Sequence, residues 1–261
     1  MKFSNRKTLL LASFFWIFLL IAPPLSSANH SWGNFHWART ANPFTLKTGD
    51  NVSLAWDQYL RTTASDWSQS SVLDLAVVAG STNARRCRPT AGRLEVCSYT
   101  YGRNGWLGLA QIWVSGGHIT QAVTKLNDTY FKTSTYNSPG WRNLVMCQEV
   151  GHTLGLDHQD EDFYNLPLGS CMDYTSEPTP NQHPNQHDYD ELETIYSHLD
   201  SFTSLKATSQ KLPQAQGEKN QNFETRKEWG RELKKNRRVG LYQRDLGQKH
   251  KLVTFVVFAA D

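Results

Sequence analysis

Long apolar runs, net charge and cysteine are all scarce in this 261-residue chain. Its one extended apolar run, residues 9–22 (LLLASFFWIFLLIA), falls short of the roughly 20 residues that span a bilayer comfortably. No second run of spanning length follows, which argues against a membrane anchor. Lys2, Arg6 and Lys7 precede the run, and Pro23, Pro24 and LSSA follow it. That order predicts a signal peptide over 1–28, cleaved after Ala28, and a secreted, extracellular product. The 27 Lys+Arg nearly balance the 24 Asp+Glu, and removing the leader makes the balance even. The distribution is uneven, with 11 basic and 18 acidic residues over 29–202 and 13 basic and 6 acidic over 203–261. A basic tail with aromatics suits an anionic surface. A solvated linker is the simpler reading, and no nucleic-acid partner is expected. The four cysteines, Cys87, Cys97, Cys147 and Cys171, suggest two disulfides in an oxidising compartment. Three pairings are open, and free thiols are the alternative.

The stretch 29–202 suits one ordinary domain. Residues 29–43 are aromatic and irregular, and His30 and His36 read as surface or packing residues. PFTLKTG predicts a first strand, and Asp50 or Asn51 a helix cap for a helix running to about Thr63. VLDLAVVAG, RLEVCSY, WLGLAQIWV and HITQAVTKLN predict four more strands. Ser138 before Pro139 predicts the start of a long helix. Asp160, Glu161 and Asp162 offer oxygen ligands for calcium, although solvated surface charge explains them as well. Residues 188–199 read as a C-terminal helix with Leu192, Ile195, Tyr196 and Leu199 on one stripe. His183 and His187 are broken by Pro184 and read as part of a helix cap. Residues 203–225 form a linker, and 226–261 a basic extension with two strands, a candidate hairpin that either stands alone or adds to the main sheet.

The chemistry concentrates in 147–160, CQEVGHTLGLDHQD. On a helix, Gln148 and His152 are i and i+4 and share a face, with Glu149 beside them. Gly155 can take a positive φ, end the helix and return the chain so that His158 meets the same point. Two imidazoles and a carboxylate at one place suit a metal with an open position and a general base.

This run resembles the metzincin metallopeptidases, whose signature is H-E-x-x-H-x-x-G-x-x-H followed by a Met-turn. Every position matches except the first histidine, which is Gln148, as in some gametolysin-type relatives. SCMDYT supplies Met172 for the Met-turn and Tyr174 two residues on, as in astacins and pappalysins, while the strand order is more like the matrixins. The resemblance covers roughly 44–199. It implies an α/β (α+β) zincin-type domain: a mixed five-stranded sheet, an active-site helix, the Met-turn and a C-terminal helix. Zinc would be held by His152 and His158 with Gln148 as a weaker amide donor, Glu149 would be the general base, and Tyr174 would complete the shell or stabilise the oxyanion. Cys147 and Cys171 precede motif residues, so their pairing would staple the active helix to the Met-turn, leaving Cys87 with Cys97. The strand WLGLAQIWV would be the exposed sheet edge that pairs with an extended protein or peptide substrate. Matrixins carry a structural metal near His118, but the neighbouring Asp/His set is missing, so no metal role is expected there. A metal-dependent endopeptidase is the implied function. The alternatives are an inactive binding protein on the same fold, because of Gln148, and an adhesive surface module.

Overall fold

The computed structural model describes residues 30–206 and 223–259. The expected leader, 1–28, and most of the expected linker, 203–225, lie outside the described residues. Alternating and continuous apolar runs give strands where the pattern predicts them: β2 (Phe44–Asn51), β3 (Leu73–Ala79), β4 (Leu94–Tyr99), β5 (Trp106–Ser115) and β6 (His118–Asn127). A two-residue strand, β1 (His36–Trp37), precedes them and pairs with β6. The helices are α1 (Asp57–Trp67), the short α2 (Asp128–Phe131), α3 (Pro139–Thr153), α4 (Gln186–Ile195) and the short α5 (Arg226–Trp229). Three further strands, β7 (Arg231–Lys235), β8 (Val239–Gly247) and β9 (His250–Phe258), close the order.

The fold is α+β with one mixed sheet. Strands run in the order β3-β2-β4-β6-β5-β9-β8-β7, with β1 beside β6 off that path. The β3–β2–β4–β6 pairs are parallel, and β5 runs antiparallel to both β6 and β9. The sheet has nine strands instead of the expected five. The difference comes from β1 and from the three tail strands, which extend the main sheet instead of standing apart.

This overturns the reading of β5 as an exposed edge. Strand β9 pairs with β5 along its length, from Trp106 opposite Phe258 to Ser115 opposite His250. The cause is visible in KLVTFVVF, which is apolar on both faces and so needs burial on both. Val253, Phe255 and Val257 enter the main core, while Val256 and Phe258 pack with Trp106 and Trp229 on the other side. The edges of the sheet are β3 and β7.

Two boundaries also move. Helix α1 begins at Asp57 because Asp50 and Asn51 continue β2, opposite Ala79 and Cys97 respectively. Ladder bonds on both sides hold those residues, and the Asn51 amide donates to Glu95 (2.7 Å) instead of capping. Helix α4 is capped by Asn185, whose side chain accepts from the backbone of His187 and Asp188, and it ends at Ile195. Leu199 is therefore exposed, outside the stripe formed by Leu192, Ile195 and Tyr196. Helix α3 packs on the sheet beside α1, where the Trp67 indole donates to Cys147 O (3.1 Å).

Candidate functional site

Helix α3 is started by the Ser138 hydroxyl, which accepts from Trp141 N (3.3 Å), with Pro139 in its first turn. Its second half, from Leu144 to Thr153, is wholly buried. Gly155 ends it at φ +103°. A Cβ there would lie 2.2 Å from Phe35 O, so the turn needs glycine for space as well as for φ. The returning chain is pinned by Asp157 N to His30 O (2.5 Å) and Gln159 N to Met172 O (2.8 Å).

That turn brings His158 against His152, ring centroids 4.7 Å apart and nearly perpendicular. His152 Nδ1 lies 2.9 Å from Leu156 O. A carbonyl only accepts, so Nδ1 carries the hydrogen and Nε2 is a lone pair. Both Nε2 atoms are buried without a hydrogen-bond partner. Burial pushes both imidazoles down to about 3, helped by the His158 ring for His152 and by Lys234 for His158. Neutral imidazoles with free lone pairs are metal ligands in waiting.

Glu149 lies one turn before His152 on α3. Both carboxylate oxygens are buried without a well-formed hydrogen bond. Burial pushes its carboxyl well above the ordinary range, while the Val257 backbone amide pulls the other way. Room for this side chain comes from Gly108 on β5, where a Cβ would meet Glu149 Oε1 at 2.6 Å. Sequence reasoning passed over Gly108, although a glycine inside a strand often marks close approach of another group.

Two disulfides form, Cys87–Cys97 and Cys147–Cys171, the second with its Cα atoms 5.9 Å apart. The second ties α3 to the turn carrying Met172. Met172 packs against Gly151, where a Cβ would lie 2.5 Å from its sulfur. Gln148 Nε2 donates to Cys171 O (2.9 Å) and Asp173 O (3.2 Å). The amide is thus lashed to the same turn, and Oε1 remains as its donor toward a cation. Tyr174 stands 6.1 Å from His158 between ring centroids, and its hydroxyl donates to Asn236 Oδ1 (2.8 Å). Burial pushes this phenol up.

Strand β9 lies over the whole arrangement. The Phe255 ring stacks on His152 at 4.2 Å and 7°. Glu149 is 0% and His152 1% exposed. No local signal in the sequence links Phe255 or Asn236 to this place.

Most of the other candidates fall elsewhere, but Glu161 brings a carboxylate oxygen within 4.8 Å of ligand atoms of His158 and Asp157. His30 bonds Asp157 O (2.9 Å) and stacks on His187, and His183 bonds Asp66 (2.7 Å). Asp160 accepts from Asp162 N and from Asn165, and Glu161 pairs with Lys234. His36 and His118 gather with His198 around Asp200, a grouping not foreseen for either residue.

Zinc fits the α3 site on the chemistry of its orphaned atoms, the buried Nε2 of His152 and of His158, with the Gln148 amide as a further oxygen donor on the same helix and the Glu149 carboxylate one turn before His152. No protein-family model matches the chain, and no curated protein matches it. Among solved structures it is similar to myroilysin, at 13% identity over 61% of this chain and 82% of that one, with a TM-score of 0.37. A second myroilysin structure gives 13%, 62%, 86% and 0.34 in the same order. High choriolytic enzyme 1, a hatching enzyme zinc-protease from Oryzias latipes (Medaka fish), gives 10%, 62%, 94% and 0.33.

Proposed function

We propose that the chain is a secreted zinc-dependent endopeptidase held in a latent form by its own C-terminal strand. The observation that supports this reading is the set of buried, unpartnered polar atoms on and after α3: His152 Nε2, His158 Nε2 and both oxygens of Glu149. Leaving such groups unsatisfied costs about 1–3 kcal/mol each, more when charged, so they are retained for a task.

His152, His158 and the Gln148 oxygen would hold the ion. When bound, zinc supplies Lewis-acid polarisation of a carbonyl and acidifies water. Glu149 then takes the proton from the attacking water and delivers it to the leaving amine. Its raised affinity for protons suits that second role, and zinc charge nearby would draw it back toward ionisation for the first. Tyr174 would donate a hydrogen bond to the oxyanion once Asn236 releases it. The Cys147–Cys171 link holds Gln148 on its two carbonyl acceptors, so geometry supports a ligand weaker than imidazole. Substrate entry requires β9 to leave β5, which would free the strand edge for an extended peptide.

The test uses the purified full chain with zinc, an unstructured protein substrate and a chelator. Hydrolysis that the chelator abolishes is expected. Glu149→Gln should lower it by about 10²–10⁴-fold with zinc content unchanged. Loss of zinc in step with activity would make Glu149 a ligand instead, and no hydrolysis even with β9 displaced would leave a binding protein.

A further inference from the structure

Outside the α3 site, three imidazoles converge on one carboxylate oxygen. Asp200 Oδ1 lies 3.5 Å from His36 Nε2, 3.2 Å from His118 Nε2 and 3.9 Å from His198 Nε2. His36 Nε2 and His198 Nε2 are 3.2 Å apart. His36 comes from β1, His118 opens β6, and His198 and Asp200 follow α4.

The framework that brings them together is dense. Ala38 N donates to Ser204 Oγ (3.0 Å), Ser204 N to Ala38 O (2.9 Å) and Asp200 N to Arg39 O (2.9 Å). Arg39 occupies the other carboxylate oxygen, Asp200 Oδ2, through Nη1 (3.0 Å) and its backbone N–H (3.1 Å). Its Nη2 donates to the carbonyls of Tyr196 and His198, and its Nε to Asn42 Oδ1 (3.2 Å). Oδ1 is therefore left to the imidazoles.

His36 Nδ1 lies 2.9 Å from Asn34 O and so carries the hydrogen. In the neutral ring Nε2 is then a lone pair, and it faces both a carboxylate oxygen and a second imidazole nitrogen. With His198 in its Nδ1–H tautomer, a cation at the centre would meet a lone pair from each ring and one from the carboxylate.

We propose that His36, His198 and Asp200 bind a zinc ion, with His118 a positioning residue that steadies the carboxylate. Tetrahedral zinc with bonds of about 2.0–2.1 Å sets its ligand atoms about 3.3 Å apart. The ligand-atom spacings here, 3.2, 3.5 and 3.9 Å, lie around that value. Two imidazoles and one carboxylate suit zinc better than calcium or magnesium, which take oxygen. The half-exposed His198 leaves the fourth position to solvent. The ion would clip the N-terminal strand β1 to the chain after α4. Trp37, next to His36, donates its indole N–H to Thr153 O (2.9 Å), and the Tyr196 hydroxyl donates to Leu154 O (2.9 Å). The clip therefore steadies the end of the helix that carries His152.

The experiment is metal analysis of the full-length protein after zinc loading and dialysis, with thermal melting alongside. His158→Ala, which disables the α3 site, is expected to keep one equivalent of zinc. His198→Ala is expected to lose one equivalent relative to wild type while still folding, since its ring is half exposed. Chelator should lower the melting temperature of His158→Ala but not that of His158→Ala/His198→Ala. His118→Ala should weaken this zinc by about 10–100-fold without abolishing it. Cobalt in His158→Ala should show the intense visible bands of a four-coordinate ion. Full zinc content in His198→Ala, or none in His158→Ala, would overturn the proposal.

Discussion

At the scale of single residues, the departure at Gln148 carries the most chemical weight. Its Nε2 is committed to Cys171 O and Asp173 O, so only the amide oxygen is free to meet a cation. An amide oxygen donates less to zinc than an imidazole does. Gln148→His should therefore tighten zinc at this site and keep or raise hydrolysis. Competition against a chelator, read beside a peptide assay, checks it; unchanged affinity would mean that position 148 does not face the ion. His152, Glu149 and His158 were legible from spacing alone because helix periodicity and one glycine dictate their meeting. Gly108 was not, because its role depends on which side chain the fold places opposite it.

At the scale of elements, the deciding contact is β9 on β5. Phe255 stacks on His152 and Val257 reaches Glu149, so one strand covers both side chains. Displacing it exchanges a buried ladder for an exposed edge, a change that extended peptide can reverse. A specific protease site engineered into 207–222 allows the folded chain to be cut there. Cutting should raise hydrolysis at least tenfold and speed chelator removal of zinc from the α3 site, and added peptide 223–259 should reverse both. Phe255→Ala should move the same readouts in the same direction in the uncut chain. Faster zinc removal without hydrolysis would sink the peptidase reading while keeping the cover, and no change in either would sink the cover. The strands of the tail were legible in KLVTFVVF; their partner was not. A run apolar on both faces announces burial without naming the neighbour.

At the scale of the whole molecule, the buried carboxyl of Glu149 couples fold stability to pH. Its folded-state pKa is raised by burial, whereas the unfolded value is near 4.3. Above about pH 4.3 the unfolded chain releases this proton and the folded chain keeps it, so the contribution is lost as pH rises toward the folded value. The metal-free Glu149→Gln chain should therefore gain stability over wild type as pH climbs from about 4.3 to neutrality. Denaturant midpoints across that range check it, and a constant difference would mean that the carboxyl is not buried as described. By itself the sequence determined the strands β2 to β6, the cap of α3, the turn at Gly155 and the meeting of His152 with His158. Those depend on local steric rules and periodicities that operate within a few residues. Tertiary structure alone decided that β9 would lie across β5, that Gly108 would make room for Glu149, and that His36, His118 and His198 would meet at Asp200. These meetings join residues far apart in the chain, and long-range packing of apolar faces sets them, which no local spacing encodes.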